Sequence, residues 1–354
     1  ESHPHPPTDL RSAGPSLSSQ ARGDGRRRVI GRRLPISPAP LITGAMTETS
    51  ERAQEPQVCT LIADPASRDL DLADVQAVRE ALRAAGAEVD GHRWLAEHAA
   101  ADLPYRGITP THAGEAARRA VRERPLDVAA QPETGRRKAV LVADMDSTIV
   151  TGETLDEMAE AVGLKDKIAE ITRRAMNGEL NFEEALRERV GMLQGLREAD
   201  VKATLDRVEL SKGAKTAIAT LKRHGVTCAL VSGGFTAIAE PVAAWCGFDR
   251  VVANRLIIEN GALTGAVGEP IVGKDAKLAT LRELAEARGV HENAVASIGD
   301  GANDLPMLLA SGLGVAYRAK PSVKAEARFA LEHGDLTGLL YLQGYTAEEF
   351  AAVG

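Results

Sequence analysis

Short apolar runs that stop at glycine, serine or aspartate punctuate the second half of the chain, and stretches with apolar residues three and four apart fill the gaps. The clearest run, Ala139 to Ala143, is too short for a helix and carries two valines, so it predicts a strand buried on both faces. Two further runs have the same signature. Thr227 to Val231 stops at Ser232-Gly233-Gly234-Phe235, and Ala294 to Ile298 stops at Gly299-Asp300-Gly301-Ala302-Asn303-Asp304. Helical spacing over Ala214 to His224, and from Gly273-Lys274 to Arg288, supplies crossovers, while Gly312 to Ala316 and Ala327 to Leu331 read as edge strands. Val251 to Ala253, Arg255 to Ile258, the Asn260-Gly261 turn and Leu263 to Gly265 predict a strand and a hairpin. This is the order of an α/β domain with a parallel sheet. Three predicted helices interrupt it: Leu155 to Val162, Lys165 to Met176, and Asn181 to Leu193 with Phe182, Leu186, Val190 and Leu193 on one stripe. An insertion there, about 154–208, is placed to cap a charged site at the strand ends, excluding water and selecting substrate.

Ahead of the first buried strand the pattern is different. Val58 to Ala63 reads as a strand, Leu72 to Ala85 as a helix closing at Gly86, and Glu88 to Leu95 and Ala101 to Tyr105 as extended segments. A helix from about Thr111 to Arg124 and a strand at Leu126 to Ala130 complete the order of a split βαβ, ferredoxin-like domain. Small ligand-sensing domains of the ACT type share that order. His92, His98 and His112 lack metal spacing, so the expectation is an accessory packing or dimerisation domain, the latter making a homodimer. Residues 1–55, rich in Pro, Ser, Gly and Arg without apolar periodicity, read as a disordered extension, and a translation start at Met46 also fits. The expected organisation is therefore 1–55 extension, 56–131 accessory domain, 132–138 linker, 139–342 α/β domain and 343–354 C-terminal tail.

Composition narrows the function. A net charge of −7 over 354 residues argues against nucleic acid as the main partner. No run of 18 apolar residues is present, so no membrane span is expected. Cys59, Cys228 and Cys246 are odd in number and widely spaced, which suits buried thiols in a reducing cytoplasm. With only 3% aromatic residues, the cores must be aliphatic.

The chemistry gathers at the strand ends. Asp144 and Asp146 follow the first buried strand two residues apart, so their side chains point the same way into the crevice where parallel sheets place their sites. Two close carboxylates call for a cation, and Mg²⁺ suits hard oxygen ligands; a bare metal site or an Asx turn is the blander reading. Ser232-Gly233-Gly234 lets backbone N–H groups approach an anion, or is simply a loop. A lysine at a helix start opposes the helix dipole and points to a bound anion, with Lys274 and Lys277 both candidates. The second acidic loop, at Asp300, can supply a further metal ligand. On the cap, Phe182 and Arg189 stand two turns apart on one face; an arginine fork suits a carboxylate, a glutamate such as Glu153 suits an ammonium, and a surface ion pair is the ordinary alternative.

Asp-Met-Asp-Ser-Thr, Val-Ser-Gly-Gly-Phe, Lys277 and Gly-Asp-Gly-Ala-Asn-Asp, in that order, resemble the four motifs of the haloacid dehalogenase-like (HAD) phosphatases, and with Glu153, Asn181-Phe182 and Arg189 the region from about 138 to 342 resembles the phosphoserine phosphatases among them. The resemblance implies a Rossmannoid parallel sheet with a helical cap after the first strand, preceded by an ACT-like domain. It implies Mg²⁺-dependent hydrolysis of O-phospho-L-serine, with Asp144 as nucleophile and Asp146 as proton donor. Asp144, Asp300 and the main-chain carbonyl of Asp146 would hold the metal, and Glu153, Phe182, Arg189, Ser232, Gly233, Lys277 and Asn303 would contact substrate. Met145 stands where many members carry phenylalanine. Phosphothreonine and phosphohomoserine differ from phosphoserine by one methyl or methylene, worth only about 1–3 kcal/mol, so the residues leave them open. A regulator whose N-terminal domain senses an amino acid is the reading from another class.

Overall fold

The computed structural model describes residues 54–353 apart from 161 and 177–179, so the expected extension over 1–55 lies almost wholly outside the described residues. The first part is an antiparallel sheet with two helices. Its elements are β1 (Gln57–Ile62), α1 (Leu72–Ala84), β2 (Glu88–Val89), β3 (Arg93–Ala96), β4 (Ala100–Arg106), α2 (Pro110–Ala120) and β5 (Asp127–Pro132). The strands run in the order β2-β4-β1-β5, with β3 also on β4. Asp71 caps α1 through a reciprocal bond with Asp74, and Thr109 caps α2, whose first residue is Pro110. One face of this sheet packs on the two helices around Leu61, Val75, Leu103 and Ala113.

The second part opens with β6 (Val140–Ala143), followed by α3 (Thr154–Glu160), α4 (Lys165–Met176), α5 (Phe182–Gly191), α6 (Glu198–Ala203) and α7 (Ala214–Arg223). Then come β7 (Thr227–Phe235), α8 (Thr236–Cys246), β8 (Arg250–Asn254), the hairpin β9 (Leu256–Glu259) and β10 (Ala262–Val267), and α9 (Lys274–Ala287). The chain closes with β11 (Val295–Gly299), α10 (Leu305–Ala310), β12 (Leu313–Tyr317), α11 (Pro321–Glu326), β13 (Phe329–Leu331) and α12 (Gly338–Leu342). Six strands form one parallel sheet in the order β13-β12-β11-β6-β7-β8. Every residue of β6 and β11 is buried, as suits the mostly apolar sequences of central strands. Helices α3 to α6 form a separate apolar cluster with the β9–β10 hairpin around Met158, Leu186 and Leu263. No helix among the described residues is long and apolar enough to cross a membrane.

Two expectations need correction. The run Gly312 to Ala316 was expected at a sheet edge, but β12 lies between β11 and β13, and its five residues are all buried. A short apolar run announces burial and not neighbours. Residues 343–350, expected as a tail, are packed: Gln343 and Tyr345 are buried, Phe350 lies against the core, and Glu349 pairs with Arg137 at 2.8 Å.

The two parts meet through a buried joint. Arg136, in the expected linker, donates to Asp102 Oδ2 at 2.6 Å, to the Tyr341 carbonyl at 2.9 Å and to the Leu342 carbonyl at 3.2 Å. Gln131 Nε2 donates to the same Leu342 carbonyl, and the Asp127 carboxylate accepts from the backbone N–H groups of Glu332, His333 and Gly334. Around these bonds Ile62, Leu95, Ala100 and Ala129 share one apolar cluster with Leu331, Leu336, Leu339 and Tyr341.

Candidate active site

Strand β6 cannot continue past Ala143, because the next residue is a carboxylate. Asp144 accepts from the Met145 N–H at 2.8 Å while its own N–H still donates to Ile298 of β11, and the chain then turns tightly through residues 145–149. Ser147 sits in this turn at φ +53°, a left-handed conformation that a residue with a β-carbon adopts only at a cost of order 1 kcal/mol. Its hydroxyl donates to Glu153 Oε1 at 2.8 Å. Asp146 projects into the turn's mouth, accepting from the Thr154 N–H at 2.8 Å and from Ser232 Oγ at 3.1 Å. A β-carbon on Gly234 would stand 2.9 Å from Asp146 Oδ2 and 3.0 Å from Ser232 Oγ, so glycine leaves room for these two side chains to meet.

Lys277, in the first turn of α9, lies between two carboxylates. It is 1% exposed, and its ammonium lies 2.7 Å from Asp144 Oδ1 and 2.6 Å from Asp304 Oδ1. Asp304 in turn accepts from the Gly301 N–H at 2.9 Å, closing the loop after β11. Burial works against the Lys277 charge, but the two carboxylates outweigh it and hold its pKa above that of an ordinary lysine. Burial and the neighbouring Asp304 charge push Asp144 well up, with Lys277 opposing them. Burial, then the charge of Glu153, pushes Asp146 up to about 6, and burial with the Asp304 charge does the same to Asp300.

Asp144, Asp300 and Asp304 each bring one carboxylate oxygen within 4.8 Å of the others. This all-oxygen, strongly anionic cluster fits a divalent cation, which would relieve the repulsion that raises the pKa values of Asp144 and Asp300. The Asp146 carboxylate is not in the cluster, being directed at Thr154 and Ser232.

Asp144, Asp146 and Asp300 form the floor of a cavity of about 690 Å³ whose walls include Glu153, Phe182, Arg189, Gly233 and Asn303, with Lys277 and Asp304 buried behind that floor. A β-carbon on Gly233 would meet the Phe182 ring at 3.3 Å, so the ring lies directly over the Gly233 backbone. Ser232 is buried beneath, its oxygen accepting from the Gly234 N–H at 2.8 Å. Lys274 also lines the cavity.

Residues 141–309 match the haloacid dehalogenase-like hydrolase family. The chain is 38% identical over 282 residues to phosphoserine phosphatase SerB2 of Mycobacterium tuberculosis, covering 78% of this chain and 69% of that protein. It belongs to the phosphoserine phosphatase family. A substrate-bound phosphoserine phosphatase structure shares 37% identity and a TM-score of 0.55, covering 58% of this chain and 98% of that one. A HAD-family hydrolase from Salmonella enterica serovar Typhi matches more of the chain, 82% of it and 98% of its own length, at 28% identity and a TM-score of 0.72. Family membership carries with it the general use of a divalent metal.

Three residues of the site were not singled out from the sequence. Asp304 is the last residue of the Gly-Asp-Gly-Ala-Asn-Asp motif, and its acidic side chain beside Asp300 was a usable signal. Ser147 and Thr172 carry no such signal; their importance lies in the partners Glu153 and Arg189, found only in three dimensions.

Proposed function

We infer that the protein hydrolyses O-phospho-L-serine to L-serine and phosphate through an aspartyl phosphate on Asp144. The observation that carries this reading is one cavity in which Asp144, backed by the buried Lys277, faces walls bearing Glu153 and Arg189. Asp144 Oδ attacks phosphorus in line, which divides one hard displacement into two easier ones. Asp146, with its carboxyl near 6, is poised to hand its proton to the departing serine oxygen and then to take one from the water that opens the acyl phosphate. Lys277, the Ser232 hydroxyl and the Gly233 N–H hold the phosphoryl oxygens, and Asn303 completes that side. Asp144, Asp300 and the Asp146 carbonyl would hold Mg²⁺, which would neutralise charge on the transferring group. Asp304 fixes Lys277 and the loop bearing Asp300.

The carboxylate of the substrate goes to Arg189 and its ammonium to Glu153, with Phe182 covering the methylene. Helices α3 to α6 act as the cap, and residues 56–131 as a ferredoxin-like, ACT-like accessory domain; three buried free thiols suit a cytoplasmic enzyme. The test is phosphate release with Mg²⁺ from O-phospho-L-serine, phosphothreonine, phosphohomoserine and p-nitrophenyl phosphate, with Asp144→Asn as the blank. A kcat/KM preference for phosphoserine that the blank lacks is expected. Equal turnover of all four would leave the nucleophile standing and remove the amino-acid pocket.

A further inference from the structure

The Arg189 guanidinium has five N–H donors in a rigid fork. Its Nε donates to the carbonyl of Ala185, one turn back on α5, at 3.2 Å, and its Nη1 donates to Thr172 Oγ1 of α4 at 2.9 Å. Among the described residues nothing accepts from the remaining three N–H groups, two on Nη2 and one on Nη1. The group lines the cavity, and burial lowers its pKa, with Asp156, Glu153 and Asp146 opposing that shift. The Thr172 hydroxyl is itself committed, because it donates to the Ile168 carbonyl at 3.0 Å. With its proton spent on its own helix, that oxygen faces Arg189 only as an acceptor.

We propose that Thr172 is a positioning residue for substrate recognition: it pins one arm of the Arg189 fork and so presents the other to the substrate carboxylate. A neutral hydroxyl suits this task better than an aspartate or glutamate, which would pair with the guanidinium and compete with the ligand for it. The interaction also ties α4 to α5 across the wall, so the fork is aimed before the ligand arrives, and little rotamer freedom is left to lose on binding.

This inference rests on the substrate reading above, and the probe pair separates the two. O-phosphoethanolamine keeps the phosphate and ammonium of phosphoserine and lacks only the carboxylate. In the full-length protein with Mg²⁺, Thr172→Val should raise KM for phosphoserine about tenfold with kcat little changed, since the lost contact serves ground and transition states alike. The loss of kcat/KM on phosphoethanolamine should be about tenfold smaller, and Thr172→Ser, which keeps the oxygen, should restore the phosphoserine KM. Equal losses on both probes, or a Thr172→Ser variant as poor as Thr172→Val, would reduce Thr172 to a packing residue. If the unaltered protein itself failed to prefer phosphoserine over phosphoethanolamine, both this inference and the substrate reading would fall. A preference that survives Thr172→Val intact sinks only the role of Thr172.

Discussion

The floor and the wall of the cavity hold their charges in different ways. At and just behind the floor, charges hold one another: Lys277 is clamped between Asp144 and Asp304, all three buried and anchored to β6, α9 and the loop after β11. On the wall, the two charges that face the floor each meet a neutral hydroxyl, Glu153 that of Ser147 and Arg189 that of Thr172. The difference follows from the task. A floor that stabilises developing charge gains from being fixed and dry, since its dipoles need no reorganisation during the reaction. A wall that must exchange ligands keeps its charges oriented but unspent, so that the partner making the full ion pair is the substrate.

The largest effects should come from breaking the floor. Asp144→Asn should lower kcat by at least about 10⁴-fold, because no other group can carry the phosphoryl; single-turnover phosphate release measures it. Removing divalent cations with EDTA should abolish turnover, and added Mg²⁺ should return it; full activity in EDTA would contradict a cation held by Asp144 and Asp300. Lys277→Met should cost about 10²–10³ in kcat. It should also lower unfolding free energy by about 3–5 kcal/mol in urea titration, because two buried carboxylates are left without their cation. A variant as stable as the parent would show that the clamp contributes to chemistry alone.

The wall should yield smaller effects that depend on the substrate. Arg189→Lys should raise KM for phosphoserine roughly ten- to hundredfold, since a point charge cannot reproduce the fork, and should spare p-nitrophenyl phosphate. Ser147→Ala should raise that KM by only about threefold. If it changed kcat instead, Ser147 would belong with the floor.

The floor was also the more legible of the two. Asp144, Ser232 and Asp300 each follow a mostly apolar run, with Asp146 two residues past Asp144, and a buried strand that ends at a polar residue marks its own end. Lys277 needed the resemblance to be preferred over Lys274, because only three dimensions bring it between two carboxylates. Ser147 and Thr172 were illegible for a physical reason: a hydroxyl has no chemistry of its own here, and its value depends on a partner 6 or 17 residues away. The place of β12 inside the sheet was hidden likewise, since strand order depends on long-range packing. Tyr345 and Phe350 belong to the core through contacts made far away in sequence, so a short polar-looking segment was taken for a tail.

The joint around Arg136 has a thermal consequence. A side chain 6% exposed that bonds at once to Asp102 and to the carbonyls of Tyr341 and Leu342 ties the first antiparallel sheet to the last helix of the chain, over an apolar cluster that both parts share. Neither side can melt without stripping the other of part of its interior. A calorimeter should therefore record the two sheets as one endotherm, and Arg136→Ala should split that peak or broaden it before it lowers activity.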